Sequence, residues 1–129
     1  MTRNIKIIIL WLTTVCGFAC HSICDVLPMF WGKDMAIMDA NGNVDQGMIV
    51  FMMTLSFLVP CCGLLCMMFR KNWTNYVNVA LACIIALFNV AHLCMEIPSD
   101  NAGQYVILPL LVVVGFILAY QSVKAIKEE

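Results

Sequence analysis

The sequence predicts an all-α fold: a four-helix transmembrane bundle, antiparallel, with both the N and the C terminus cytoplasmic. Three observations predict it. Hydrophobic residues make up 63 % of the 129 positions and charged ones 12 %, against roughly 45–50 % and about 25 % in soluble domains. Four apolar stretches are each long enough to cross a hydrocarbon core of about 30 Å at about 1.5 Å per residue. Lysine and arginine stand only at or beyond the ends of those stretches. Because a bilayer offers the backbone no hydrogen-bond partners, such stretches must be helices. The length fits a single membrane domain, residues 1–129, and the formal net charge of −1 supplies no basic face for nucleic acid.

The first span, about residues 5–30, opens on Arg3 and Lys6 and then runs without charge from Ile7 to Phe18. A short secretory signal begins similarly, but the apolar run continues past Val26, and Gly17, Phe18 and Ala19 before Cys20 make a poor cleavage site, so a retained span is expected. Thr13, Gly17, His21 and Asp25 recur every four residues, with Cys16, Cys20 and Cys24 in the next row. Small and polar rows let membrane helices approach closely, so this row is expected to face the third span.

Residues 32–46 form a polar outer loop. Asp39 to Asp45 alternates oxygen-bearing side chains as a calcium loop does, but Val44 and Val50 stand where glycine and glutamate are needed. A polar Asn-Gly turn is the expectation. The second span, about 47–69, carries Pro60 near its middle, which removes one backbone hydrogen bond and is expected to kink the helix, with Thr54 or Ser56 near the freed carbonyls. Arg70 and Lys71 mark a short turn.

The third span, about 73–97, is apolar over most of its circumference and polar along one line through Asn75, Asn78, Asn89, His92 and Glu96, with Ala82 and Ile85 filling the gap. Those steps of three and four make a continuous helical seam. Pro98 to Gly103 makes a tight turn, and the fourth span, about 104–123, closes on Lys124 and Lys127, with Pro109 near its start.

Arg3, Lys6, Arg70, Lys71, Lys124 and Lys127 fall on one side of four spans and Lys33 alone on the other, which by the positive-inside tendency puts the termini in the cytoplasm and the protein in the inner (cytoplasmic) membrane. The Asn72-Trp73-Thr74 glycosylation triplet then lies on the wrong side. Trp31, Trp73, Tyr76, Tyr105 and Tyr120 sit near span ends, as interfacial aromatics do.

Counted at about 1.5 Å per residue, His21 lies about 22 Å from the cytoplasmic entry, Asp25 and His92 about 28 Å, and Glu96 near the far interface. His21 with Asp25 and His92 with Glu96 both have the i,i+4 spacing that aligns two side chains on a helix face. Together with Asn89 they form the candidate site. Its readings are interhelical hydrogen bonding, handling of protons or a small solute, and a metal centre of two nitrogens and two oxygens; no metal or other cofactor is firmly implied.

The cysteines offer a second class of function. A membrane thiol oxidoreductase displays Cys-x-x-Cys at the surface, a spacing absent here, and only Cys24 and Cys94 approach the outer face as a candidate redox pair. The eight cysteines read first as small buried hydrophobes.

In length and span layout the whole chain resembles a family of short four-span bacterial integral membrane proteins catalogued without an assigned function. The matches are Asp25-Val26-Leu27 ending span one, Gln46-Gly47 opening span two, Pro60 inside it, and Arg70, Asn72 and Asn75 leading into span three. The family pattern also favours carboxylates beside Pro60 and midway along the last helix, where this chain has Leu58, Val59 and Leu110 to Val114. That departure argues against an ion pathway through all four helices and leaves Asp25 as the one acidic position that the resemblance and the reading of the residues share. The expectation is a non-enzymatic protein whose partners are the lipid bilayer and, through its small-residue rows, a second copy or another membrane protein.

Overall fold

The computed structural model describes residues 1–34, 42–69 and 71–127. Four helices account for nearly all of them: α1 (Arg3–Val26), α2 (Gln46–Phe69), α3 (Asn72–Glu96) and α4 (Gln104–Ile126), each long and apolar enough to cross a membrane. Asp39 to Asn41 of the loop turn and Arg70 lie outside the described residues. There is no strand among the described residues.

α3 follows α2 and α4 follows α3 through short turns, and such neighbours lie side by side and antiparallel; α1 closes the bundle by packing on α2 and α4. The expected pairing of spans one and three is corrected accordingly: α1 and α3 occupy the diagonal, and they meet only through long side chains that reach the bundle axis. Both termini lie at one end, where Arg3 Nη1 donates to the Lys124 carbonyl at 3.4 Å. The opposite end, which carries the turn from Ile97 to Gly103, is called distal below.

Three helices bury a seam with steps of four and three. On α1 it is Ile7, Trp11, Thr14, Phe18 and His21; on α3 Asn78, Ala82, Ile85, Asn89 and His92; on α4 Gln104, Leu108, Leu111, Gly115, Leu118 and Ser122. The α3 seam follows the polar line read from the sequence, with Glu96 emerging at its end. The α1 row differs from expectation: His21 points inward, but Thr13, Cys16 and Cys20 are exposed. The reason is geometric. Steps of four residues rotate about 40° each around a helix of about 3.6 residues per turn, so a row of them drifts off the buried face, whereas alternating four and three stays on it.

The apolar cluster of Ile7, Trp11, Phe18, Met67, Ala82, Ile85, Leu111 and Leu118 fills the centre. Outward positions such as Leu12, Ile23, Phe57, Leu87, Val106 and Phe116 are exposed, a surface suited to acyl chains. Trp31, Trp73, Tyr76, Tyr105 and Tyr120 are also exposed near helix ends.

Prolines set the local irregularities. Pro28 turns the end of the first span into a 3-10 segment, Leu27–Trp31, closed by Gly32 at φ 78°. Ahead of Pro60 the helix widens into a π turn, Thr54–Leu58, in which the Val59 N–H reaches back to the Thr54 carbonyl. The hydroxyls of Thr54 and Ser56 donate to the Val50 and Met52 carbonyls, each at 2.7 Å. A π turn at this point absorbs the register error that proline imposes. The distal half of α2 packs poorly: no residue from Gln46 to Leu58 is fully buried, whereas Pro60, Gly63, Cys66 and Met67 are.

Candidate functional site

Two polar layers interrupt the apolar interior. Nearer the termini, Trp11 Nε1 donates to Asn78 Oδ1 at 2.8 Å, and Asn78 Nδ2 donates to Ser122 Oγ at 2.9 Å. This ties α1, α3 and α4 together with neutral groups that are almost wholly shielded. The indole lies against Gly63 of α2, where a Cβ would come within 2.3 Å of Trp11 Cε2. Glycine is required there because any side chain would occupy the space of the ring.

The distal layer is built from ionisable groups. The first α4 residue along its seam, Gln104, is fully buried, and its amide faces two partners on α1. Its Oε1 lies 2.7 Å from His21 Nδ1, and its Nε2 donates to Asp25 Oδ1. A carbonyl oxygen only accepts, so this contact places the ring proton on Nδ1. The other ring nitrogen, Nε2, lies 3.4 Å from Asp25 Oδ2. A second proton on His21 would therefore sit between the ring and the carboxylate. Asp25 is 45 % exposed while His21 is 8 % exposed, so the carboxylate is the mouth of this half of the site.

Asn101 fixes the surrounding turn. Its Nδ2 donates to the Cys24 carbonyl at 2.6 Å, which is freed because the helix ends two residues later, and its Oδ1 accepts from the Gly103 N–H at 3.1 Å. Gly103 has no Cβ to strike Cys24 Sγ, and that closeness lets α4 begin beside α1.

The second half lies across the diagonal on α3. The rings of His21 and His92 meet edge to face with centroids 4.7 Å apart, and Phe88 stands edge-on to His92 at 5.3 Å. His92 is 9 % exposed, its Nε2 has no hydrogen-bond partner, and the nearest carboxylate oxygen, Glu96 Oε1, is 3.9 Å away. One turn deeper, Asn89 Nδ2 donates to the Leu111 carbonyl at 2.8 Å, an approach permitted by Gly115, where a Cβ would meet Asn89 Nδ2 at 3.0 Å.

His21, Asp25, His92 and Glu96 thus gather at one end of the bundle, with Asn89 one turn below. They do not converge on a metal point: among the described residues no group of three His, Cys, Asp or Glu side chains is arranged to hold an ion. The two histidines face each other by ring edge instead, and each carboxylate turns to its own helix. Nor are Cys24 and Cys94 joined. Cys24 is buried beside Asn101 Oδ1, at 3.5 Å, while Cys94 is exposed, and both are free thiols.

Sequence reasoning missed Gln104, Trp11 and Ser122. Their signal was the heptad-like spacing of Gln104 through Ser122 and of Ile7 through His21, which apolar neighbours at most of the same positions concealed. Compared with known proteins, the chain matches no family model, no curated protein and no solved structure.

Proposed function

We propose that this is a non-enzymatic, multi-pass protein of a bacterial inner membrane, with its termini in the cytoplasm, that takes up and releases protons at the outer end of its bundle and links them to a small solute. One observation carries the reading: Gln104 joins a buried histidine to a half-exposed aspartate, Oε1 toward His21 Nδ1 and Nε2 toward Asp25. Ionisable groups inside a membrane domain are costly, up to about 2.5–3.5 kcal/mol for an aspartate at mid-depth and less toward the interface where Asp25 lies, and a purely adhesive role could be filled by neutral groups such as those of Trp11, Asn78 and Ser122. Asp25 meets the aqueous side, His21 holds the proton inside, and Gln104 sets the ring's orientation. Phe18, Ile85 and Leu111 close the axis below, so passage of a solute requires these side chains to part.

The test is a solute screen in dye-loaded proteoliposomes under an imposed pH gradient, using panels of amino acids, sugars, amines and carboxylates. The expected result is a solute-dependent change in internal pH that Asp25→Asn abolishes. A second reading, in which the layer only fastens α1 to α4, is favoured by the closed axis. It predicts no proton movement with any panel compound and an Asp25→Asn variant that differs from the parent in thermal stability alone.

A further inference from the structure

A groove runs between the distal half of α2 and the distal end of α3, with a cavity volume of about 490 Å³. It exists because Gln46–Met53 packs closely on no other helix, which leaves Met48, Phe51 and Met52 facing Phe88, Ala91 and Met95 across a gap. The polar side chains lining it are His92 and Glu96. From the groove we infer a binding site for a lipophilic primary amine, its ammonium held by His92 and Glu96 and its apolar body lying among Phe51, Phe88 and the methionines.

The inference rests on three features. First, His92 is nine-tenths buried and its Nε2 is unpartnered, although leaving a buried polar atom without a partner is destabilising. A ligand proton donor would remove that cost. Second, the charge is of one sign: Glu96 contributes a carboxylate, and among the described residues the lining has no lysine or arginine to receive a phosphate or fatty-acid head. Third, the two candidate acceptors, His92 Nε2 and Glu96 Oε1, are 3.9 Å apart. Nε2 is shielded at rest, so binding requires a small shift of the lining side chains to uncover it, after which one nitrogen placed about 2.8–3.0 Å from each can donate to both. An alcohol has a single proton and satisfies only one of them. Aromatic faces attract cations, and thioether side chains adapt to irregular apolar bodies, so the walls suit the same ligand. The site goes beyond the proton reading above, because it uses the α2–α3 face and neither Asp25 nor Gln104.

The experiment measures equilibrium binding of three probes with a common body, 4-phenylbutylamine, 4-phenylbutanol and 4-phenylbutyrate, to the full chain in lipid nanodiscs, with empty nanodiscs subtracted. Saturable binding of the amine is expected, tighter than the alcohol by about tenfold or more, with no saturable binding of the carboxylate. Glu96→Gln, at a half-exposed position that packing does not constrain, is expected to weaken the amine by about tenfold or more and the alcohol by less, since the glutamine carbonyl still accepts one proton but carries no charge for the ammonium. Ala91→Phe, which fills the groove from an exposed position, is expected to remove binding of both. Equal binding of the three probes, absence of saturable amine binding, or an unaltered amine affinity in either variant would overturn the assignment.

Discussion

The two polar layers use similar interhelical contacts to different ends. Near the termini, Trp11, Asn78 and Ser122 are neutral, mutually hydrogen-bonded and sealed from solvent. At the distal end, His21, Asp25, His92 and Glu96 are ionisable, their carboxylates are 45 % exposed, and one imidazole nitrogen has no partner. Polar groups in a membrane bundle can therefore act as a pin, where each side chain has a fixed hydrogen-bond partner, or as a site, where donors and acceptors are left open at a reachable edge. The comparison predicts that damage to the first layer costs stability and damage to the second costs chemistry.

The largest expected effect is at the contact of the first layer with α2. Gly63→Leu would drive a side chain into the indole of Trp11, and the folded monomer is expected to be lost, read as aggregation on size exclusion in mild detergent. Trp11→Ala removes the same ring without a clash. It should cost about 3 kcal/mol or more, as large-to-small changes in packed interiors do, measured by unfolding in mixed micelles. A smaller loss, of about 1–2 kcal/mol, is expected for Asn78→Leu, which leaves the Trp11 N–H and the Ser122 hydroxyl buried without each other's bridge.

In the distal layer the same measurement should move less. Gln104→Leu is expected to lower stability by only about 1 kcal/mol, because Asp25 can turn to water and only the His21 N–H is left buried without its acceptor. If Gln104→Leu proves as damaging as Trp11→Ala, the distinction between pin and site fails. The smallest effect concerns the thiols. Cys24 and Cys94 are expected to label equally with and without reductant, so that a maleimide reagent gives one gel mobility in both; a reductant-dependent shift would bring back the redox reading.

Much of this contrast is legible in the amino-acid sequence. Charge placement and apolar length mark four spans whose limits agree with the helices to within a few residues, since lipid leaves the backbone no alternative to helix. The seam of α3 is legible because polar residues on an otherwise apolar helix mark its inward line. The seam of α1 is not: Ile7, Trp11 and Phe18 look like lipid-facing residues until something is known to lie behind them, and a four-residue row through Thr13 and Gly17 is the more visible pattern. Gln104 is hidden for a different reason. At the first turn of a span it reads as an interfacial residue, and only the close start of α4 beside α1, permitted at Gly103 and Asn101, turns it inward.

The central claim, that the distal layer titrates while the layer near the termini only fastens helices, is tested most directly by infrared difference spectroscopy of the full chain in nanodiscs as pH is lowered. A protonated-carboxyl band is predicted that disappears in Asp25→Asn, shifts in Gln104→Leu, where its amide donor is gone, and is unchanged in Asn78→Leu. A band indifferent to Gln104→Leu, or one altered equally by Asn78→Leu, would contradict the account.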